Sequence, residues 1–208
     1  MPDKLRHTIL LVAVLIAINH PALSQGEYLR KGESGLGVSS SLSTITSNNT
    51  GDNSIGFSIG CSFSSTIDVS LSYAAARPSS DEAIAPSISY YLSKQSKDVE
   101  ETFALSLIAQ HLSNGGQTQN NLGLGLTFAH DLFYAGSFIL QPTIGVALYP
   151  IHSQQSQSVS GATIGLGVGM RFQEGHCLIL SPVAAYQSGN VMVGASIGLI
   201  ACFSPAPE

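Results

Sequence analysis

Between positions 54 and 63 the odd residues are Ile55, Phe57, Ile59, Cys61 and Phe63, and the even ones are Ser54, Gly56, Ser58, Gly60 and Ser62. A period of two is the signature of a β-strand whose faces meet different surroundings. The second face is what constrains the fold. In a soluble sheet it meets water and carries Lys, Glu, Thr and Arg; here it is Gly and Ser. The division recurs at 67–75 (Ile67, Val69, Leu71, Tyr73 against Asp68, Ser70, Ser72), at 122–128 (Leu122, Leu124, Leu126, Phe128 against Gly123, Gly125, Thr127) and at 162–172 (Ile164, Leu166, Val168, Met170, Phe172 against Gly165, Gly167, Gly169, Arg171). Less regular versions occupy 34–42, 84–92, 102–110, 138–149, 177–187 and 191–203, giving about ten segments. Small residues suit the inside of a narrow barrel. Bulky apolar ones suit an outer wall in lipid, where a closed barrel is the only sheet that satisfies every backbone group. The expected fold is all-β: a transmembrane antiparallel up-and-down barrel of about ten strands over 34–203. A secreted soluble β-protein also alternates, but it needs a charged face that this chain lacks.

Composition agrees. Only 10% of residues are charged, against ~25% in typical soluble domains, and a net charge of -5 argues against a nucleic-acid partner. Lys4, Arg6 and His7 precede an apolar run over 8–18, then Pro21, Ala22 and Ser24. That is the layout of a cleavable secretory leader over 1–24, with a run shorter than the ~20 residues of a spanning helix. A periplasmic segment at 25–33 and a tail at 204–208 would flank the barrel, which is expected in the outer membrane of a Gram-negative cell. With the N-terminus periplasmic, the long connections, including the one after Gln110, fall at the outer end. Phe63, Phe103, Phe128, Phe138, Phe172 and Phe203 gather at inner strand ends, and Tyr149 and Tyr186 at outer ends, as two interfacial girdles. Pro86, Pro142 and Pro182 lie inside strands and call for bulges. Gly189-Asn190 reads as a two-residue turn, which places Tyr186 opposite Val193, Leu180 opposite Leu199 and Cys177 opposite Cys202. A disulfide between Cys177 and Cys202 is therefore expected in the oxidising periplasm, while Cys61 is an apolar lipid-facing residue.

The chemistry falls in the run Gln110 to Asn121. His111 and Ser113 share the parity of Phe103, Leu105 and Leu107, and Asn120 shares that of Leu122, Leu124 and Leu126. All three side chains thus continue lipid-facing rows at the outer end. A polar group there is costly unless paired or functional. The chemistry that uses such a set is nucleophilic catalysis: Ser113 as nucleophile, His111 as general base, and Asn120 accepting the far imidazole N–H. Asn114 or the backbone N–H groups of Gly115 and Gly116 would stabilise an oxyanion.

At these residues the chain resembles two families of barrel enzymes. His111-x-Ser113-Asn114-Gly115 looks like the active-site motif of outer-membrane phospholipase A and is similar to the His-x-Ser-Asn-(Ala/Gly)-Gly run of the lipid A 3-O-deacylases. The resemblance implies an esterase that removes acyl chains from phospholipid or lipid A in the outer leaflet, with Ser113 as nucleophile and His111 as base. The deacylases carry a Glu on the following strand; no Glu occurs here between Glu101 and Glu174, and Asn120 takes the supporting place. No cofactor is expected, since ligands matching the phospholipase's calcium requirement are not evident. Membrane lipids are the implied environment and substrate. Elsewhere, Asp68 and Arg171 face inward as a structural ion pair, and His130, His152 and His176 lie singly, without the spacing of a metal site. Lys94, Lys97 and Asp98 form a solvated turn, and the Gly-x-Gly runs are strand alternations, since no helix follows them. The competing function is a non-enzymatic small barrel: a structural protein, an adhesin or a narrow pore.

Overall fold

The computed structural model describes residues 29, 32–47, 50–77, 81–93, 101–114, 117–130, 133–135, 138–152, 159–171, 176–187 and 190–203; the expected leader and tail lie outside them. The strands are β1 (Ser34–Ser47), β2 (Thr50–Phe63), β3 (Ile67–Arg77), β4 (Glu82–Ser93), β5 (Glu101–Asn114), β6 (Gln117–His130), β7 (Phe133–Ala135), β8 (Phe138–His152), β9 (Val159–Arg171), β10 (Cys177–Gln187) and β11 (Asn190–Phe203). Each long strand pairs antiparallel with the next, β1 pairs with β11, and β6 pairs with β8 to seal the cylinder. The result is a closed barrel of ten long strands with no free edge, the condition for a sheet in hydrocarbon. The three-residue β7 was not expected. It pairs with β8 through Phe133 and Leu140, just beyond the point where the β6 ladder ends at Ala129 opposite Thr143.

The faces are as the alternation predicts. Ile55, Phe57, Ile59, Leu124, Leu126, Ile164 and Ile197 are exposed on the outside, while Ser54, Ser62 and Ser72 are buried within. A hydroxyl turned inward gains from a partner, and the register supplies several as cross-strand serine pairs: Ser39 with Ser58 at 2.6 Å, Ser70 with Ser87 at 2.7 Å and Ser89 with Ser106 at 2.8 Å; the buried Ser62 hydroxyl has none. Phe63, Phe103, Phe138 and Phe203 ring the wall at the end that carries the two termini, and Phe103 meets Phe128 edge-on at 5.0 Å. The side chains of Phe172 and Tyr186 lie outside the described set.

The structure corrects four expectations. Tyr149 belongs to no girdle: it is fully buried in the lumen, on the inward row of β8 opposite in parity to the exposed Ile144, Val146 and Leu148. The prolines need no bulge. Pro86 and Pro182 leave gaps in the ladders to β5 and β9 at unchanged register, and Pro142 falls where β8 changes partner from β7 to β6. Several expected outer connections are strand, so that β1 runs to Ser47 and β2 starts at Thr50. Finally, Gln187 pairs with Asn190, and Cys177 lies opposite Ile200 instead of Cys202.

The lumen is filled by a few large side chains set among small ones. Near the hairpin end Tyr149 lies over Gly123, where a Cβ would come within 2.5 Å of its ring. At the end with the termini, Leu29 enters the lumen and packs with Cys177, Ile179, Ile200 and Cys202. The chain ahead of β1 is held there by hydrogen bonds from the Gly32 N–H to the Ser65 hydroxyl at 3.0 Å and from the Ser64 N–H to the Ser34 hydroxyl at 2.9 Å. Ser64 and Ser65 take φ of 50° and 47° to form this turn, a conformation costing about 1–2 kcal/mol for a residue with a Cβ. The bonds to the strap offset that cost.

Two outcomes follow from the faces and the lumen. Ile59→Arg, halfway along β2, should lower folding stability in lipid vesicles by about 2–4 kcal/mol, against about 0–1 kcal/mol for Thr44→Arg near the rim, read from denaturant titration followed by circular dichroism. Gly123→Ala should cost about 1–3 kcal/mol through the clash with the Tyr149 ring. Combined with Tyr149→Ala it should cost no more than Tyr149→Ala alone, and strict additivity of the two would disprove the contact.

Candidate active site

The β5–β6 hairpin carries the expected set. His111 pairs in register with Asn120, and Ser113 with Thr118. His111 and Asn120 are exposed on the outer wall and Ser113 is half-exposed there, while Leu112 between them points inward and is 1% exposed. The imidazole Nδ1 of His111 lies 2.8 Å from Oδ1 of Asn120. With the amide oxygen as acceptor, the ring carries its proton on Nδ1 and leaves Nε2 as the basic nitrogen, the tautomer a general base for the neighbouring serine requires. Side chains two residues apart on one strand share a face, so Ser113 is the next outward group above His111.

The inner face reinforces this register. One position along, Gln110 lies opposite Asn121, whose Nδ2 donates to Oε1 of Gln110 at 3.3 Å; Oδ1 of Asn121 in turn accepts from Gln119 at 2.8 Å. A slip of one residue would exchange the faces and break the amide bonds inside and the His111–Asn120 bond outside together. Asn114 ends β5 but its side chain, like all of Gly115 and Gly116, lies outside the described residues.

On the other flank, Glu82 of β4 stands in register with Ser113, and Ile84 with His111. Glu82 is exposed on the outer wall and hydrogen-bonded to Tyr73 of β3. Arg77, also exposed, extends the same outward row of β3, with one donor on the Ala76 carbonyl at 3.1 Å. Sequence reasoning missed Glu82 and Arg77 because it assigned 76–83 to a loop. Their parity was the available signal: Glu82 continues the row of Ile84 and Ile88, and Arg77 that of Leu71 and Tyr73.

The remaining expected groups lie apart from this wall. Asp68 is buried and accepts a hydrogen bond from the Tyr91 hydroxyl at 2.9 Å; the side chain of Arg171, its expected partner, is outside the described set. Cys177 and Cys202 are both buried on the lumen side but one step out of register, and no disulfide joins them. Diagonal neighbours stand ~7–8 Å apart, more than a disulfide spans without backbone movement. Cys61 is half-exposed on the outward row of β2. Among the described residues no group of three His, Cys, Asp or Glu side chains is arranged to hold a metal ion.

The sequence matches no family model and no curated protein. Among solved structures, the fold is similar to the translocator domain of the autotransporter NalP from Neisseria meningitidis (10% identity over 96% of this chain and 99% of that one, TM-score 0.54). It also aligns with the β domain of the Bordetella autotransporter BrkA (13% identity, 82% and 100% covered, TM-score 0.48) and with the outer membrane enzyme PagL (13% identity, 79% and 97% covered, TM-score 0.37). At such identities the NalP likeness speaks for the fold, an outer-membrane β-barrel, and the two lower scores bear no further weight.

Proposed function

We infer that this barrel is an outer-membrane esterase that removes acyl chains from phospholipid or lipid A in the outer leaflet, acting from its outer wall. One observation carries the reading: the His111 Nδ1 to Asn120 Oδ1 contact of 2.8 Å, on the lipid-facing side of the hairpin that also presents Ser113. In this reading the Ser113 hydroxyl attacks the ester carbonyl while His111 Nε2 takes its proton, and Asn120 stabilises the imidazolium that forms. His111 then returns the proton to the departing alcohol, leaving an acyl-Ser113 that water hydrolyses by the same proton path. The donors around Asn114 and Gly115 would meet the oxyanion. A lipid diffusing along the wall reaches the serine with its chains still in hydrocarbon, so no pocket is required.

The alternative, a non-enzymatic structural, adhesive or pore-forming barrel, has no comparable observation in its favour. Tyr149, Met192 and Ile179 are fully buried across the lumen, an arrangement that lends a pore no support.

Refolded protein in mixed micelles should release fatty acid from phospholipid or from lipid A. Ser113→Ala should lower the rate at least about 10³-fold, and Asn120→Ala about 10- to 100-fold through the lost hydrogen bond to the base. Release unaffected by Ser113→Ala, with the variant still folded as a heat-modifiable barrel on gels, would overturn the reading.

A further inference from the structure

Cys177 opens β10 and Cys202 lies one residue from the end of β11, so both thiol side chains enter the lumen at the end that carries the termini. They are 0% and 7% exposed and pack in one cluster with Leu29, Ile179 and Ile200. Cys177 stands opposite Ile200, and Cys202 lies two positions further along β11 on the same face. Such a diagonal sets Cα atoms ~7–8 Å apart, with Cβ atoms somewhat closer, whereas a disulfide holds its Cβ atoms at about 3.5–4.5 Å. The pair is too wide for a direct sulfur–sulfur bond and has room for one atom between the sulfurs.

We propose that Cys177 and Cys202 bind one soft monovalent cation, Cu(I) or Ag(I), as a two-coordinate bis-thiolate. Two metal–thiolate bonds of about 2.3 Å each set the sulfurs about 4.6 Å apart when the bridge is straight, against about 2.05 Å in a disulfide, and that longer bridge suits the diagonal. Thiolate ligands select Cu(I) over harder cations. Coordination number narrows the choice further. Zn(II) takes four ligands, and among the described residues no three His, Cys, Asp or Glu side chains gather to hold a metal ion. The other side chains of the cluster are hydrocarbon; they donate nothing and keep water from completing a larger shell. A cation satisfied by two sulfurs is the one that fits. Binding releases both thiol protons to solvent, including the one that Cys177 shares weakly with the Leu178 carbonyl at 3.8 Å. Two thiolates and one monovalent cation leave a single net negative charge, and a buried charge needs a partner. Arg171 of β9 is in register with Cys177, and a guanidinium keeps its positive charge at every accessible pH.

The test uses the mature full-length chain carrying Cys61→Ala, so that Cys177 and Cys202 supply the only thiols, reduced and refolded in detergent micelles under nitrogen. Silver nitrate, or Cu(I) delivered from its bicinchoninate complex, is titrated in and followed by native mass spectrometry. One ion per barrel should bind, with release of two protons read by a pH indicator. Adding Cys177→Ser or Cys202→Ser should each weaken retention by more than about 100-fold, beyond the 10- to 100-fold typical of an outer-shell change, with the variants still heat-modifiable on gels. Zinc sulfate at the same concentration should leave no ion bound after gel filtration. The site is overturned by a parent chain that binds no silver or Cu(I), by equal retention in the serine variants, by zinc held as firmly as silver, or by diamide closing an internal disulfide, which would put the sulfurs within bonding distance of each other. Should a serine variant fail to fold, the contrast between silver and zinc and the two-proton release of the parent chain decide the matter.

Discussion

Inside hydrocarbon no water is available to an unpaired peptide group, and each one left open costs several kcal/mol. Nearly everything about this barrel follows from that. The sheet has to close, which it does through β6 with β8 and β1 with β11, and closure divides the residues of every strand between lipid and lumen by parity. Once the faces are assigned, a polar residue can lie on the outer wall only where the wall leaves the hydrocarbon. His111, Asn120, Ser113, Glu82 and Arg77 all lie at the hairpin end of their strands, so their clustering reflects the height at which polar side chains are tolerated as well as their chemistry.

The lumen obeys a different limit, which is volume. Backbones curving around a narrow cylinder leave room for Gly, Ser and Ala at most inward positions, and for a large side chain only where its neighbour gives way. Tyr149 over Gly123 is one such arrangement, and Leu29 against Gly35, where a Cβ would approach to 3.2 Å, is another. The two fill opposite ends of the same interior. Serine is the residue that fits both demands, small enough for the cylinder and able to pair with the serine across from it, as at Ser39 and Ser58.

How far the architecture was legible depended on which physical rule had to be read. Faces were legible because parity is a property of the residues themselves, and a shift of two leaves it intact. That is why the described side chains of β10 and β11 keep their expected faces although each cross-strand partner differs by two residues from the Gly189-Asn190 reading. The expected Cys177–Cys202 bond depended on partner identity and lost its register argument with that shift, since Cys177 faces Ile200. Tyr149 was misplaced although parity was available: Ile144, Val146 and Leu148 take the lipid side, which turns Tyr149 into the lumen, and its residue type and height alone had suggested a girdle. Strand ends were the least legible, because beyond the hydrocarbon the outward row turns polar and resembles a loop. Arg77 and Glu82 were lost in that zone. His111, Ser113 and Asn120 are legible despite lying in that zone because their motif coincides with the parity of Leu105, Leu107, Leu122 and Leu124.

The outer wall gives the His111–Asn120 pair a strength that the same pair would lack on a soluble surface. There, water competes for both groups, and a neutral hydrogen bond contributes only about 0.5–1.5 kcal/mol. Near lipid the local dielectric falls and the competing water thins out, so both the hydrogen bond and the field of a developing imidazolium grow stronger. The neighbouring carboxylate acts in the same setting. Glu82 faces Ser113 across one strand spacing; in the proposed hydrolysis its charge would favour an imidazolium at His111 and oppose the tetrahedral oxyanion. Those two effects pull against each other. In the esterase reading the oxyanion donors would therefore belong on the side of Ser113 away from Glu82.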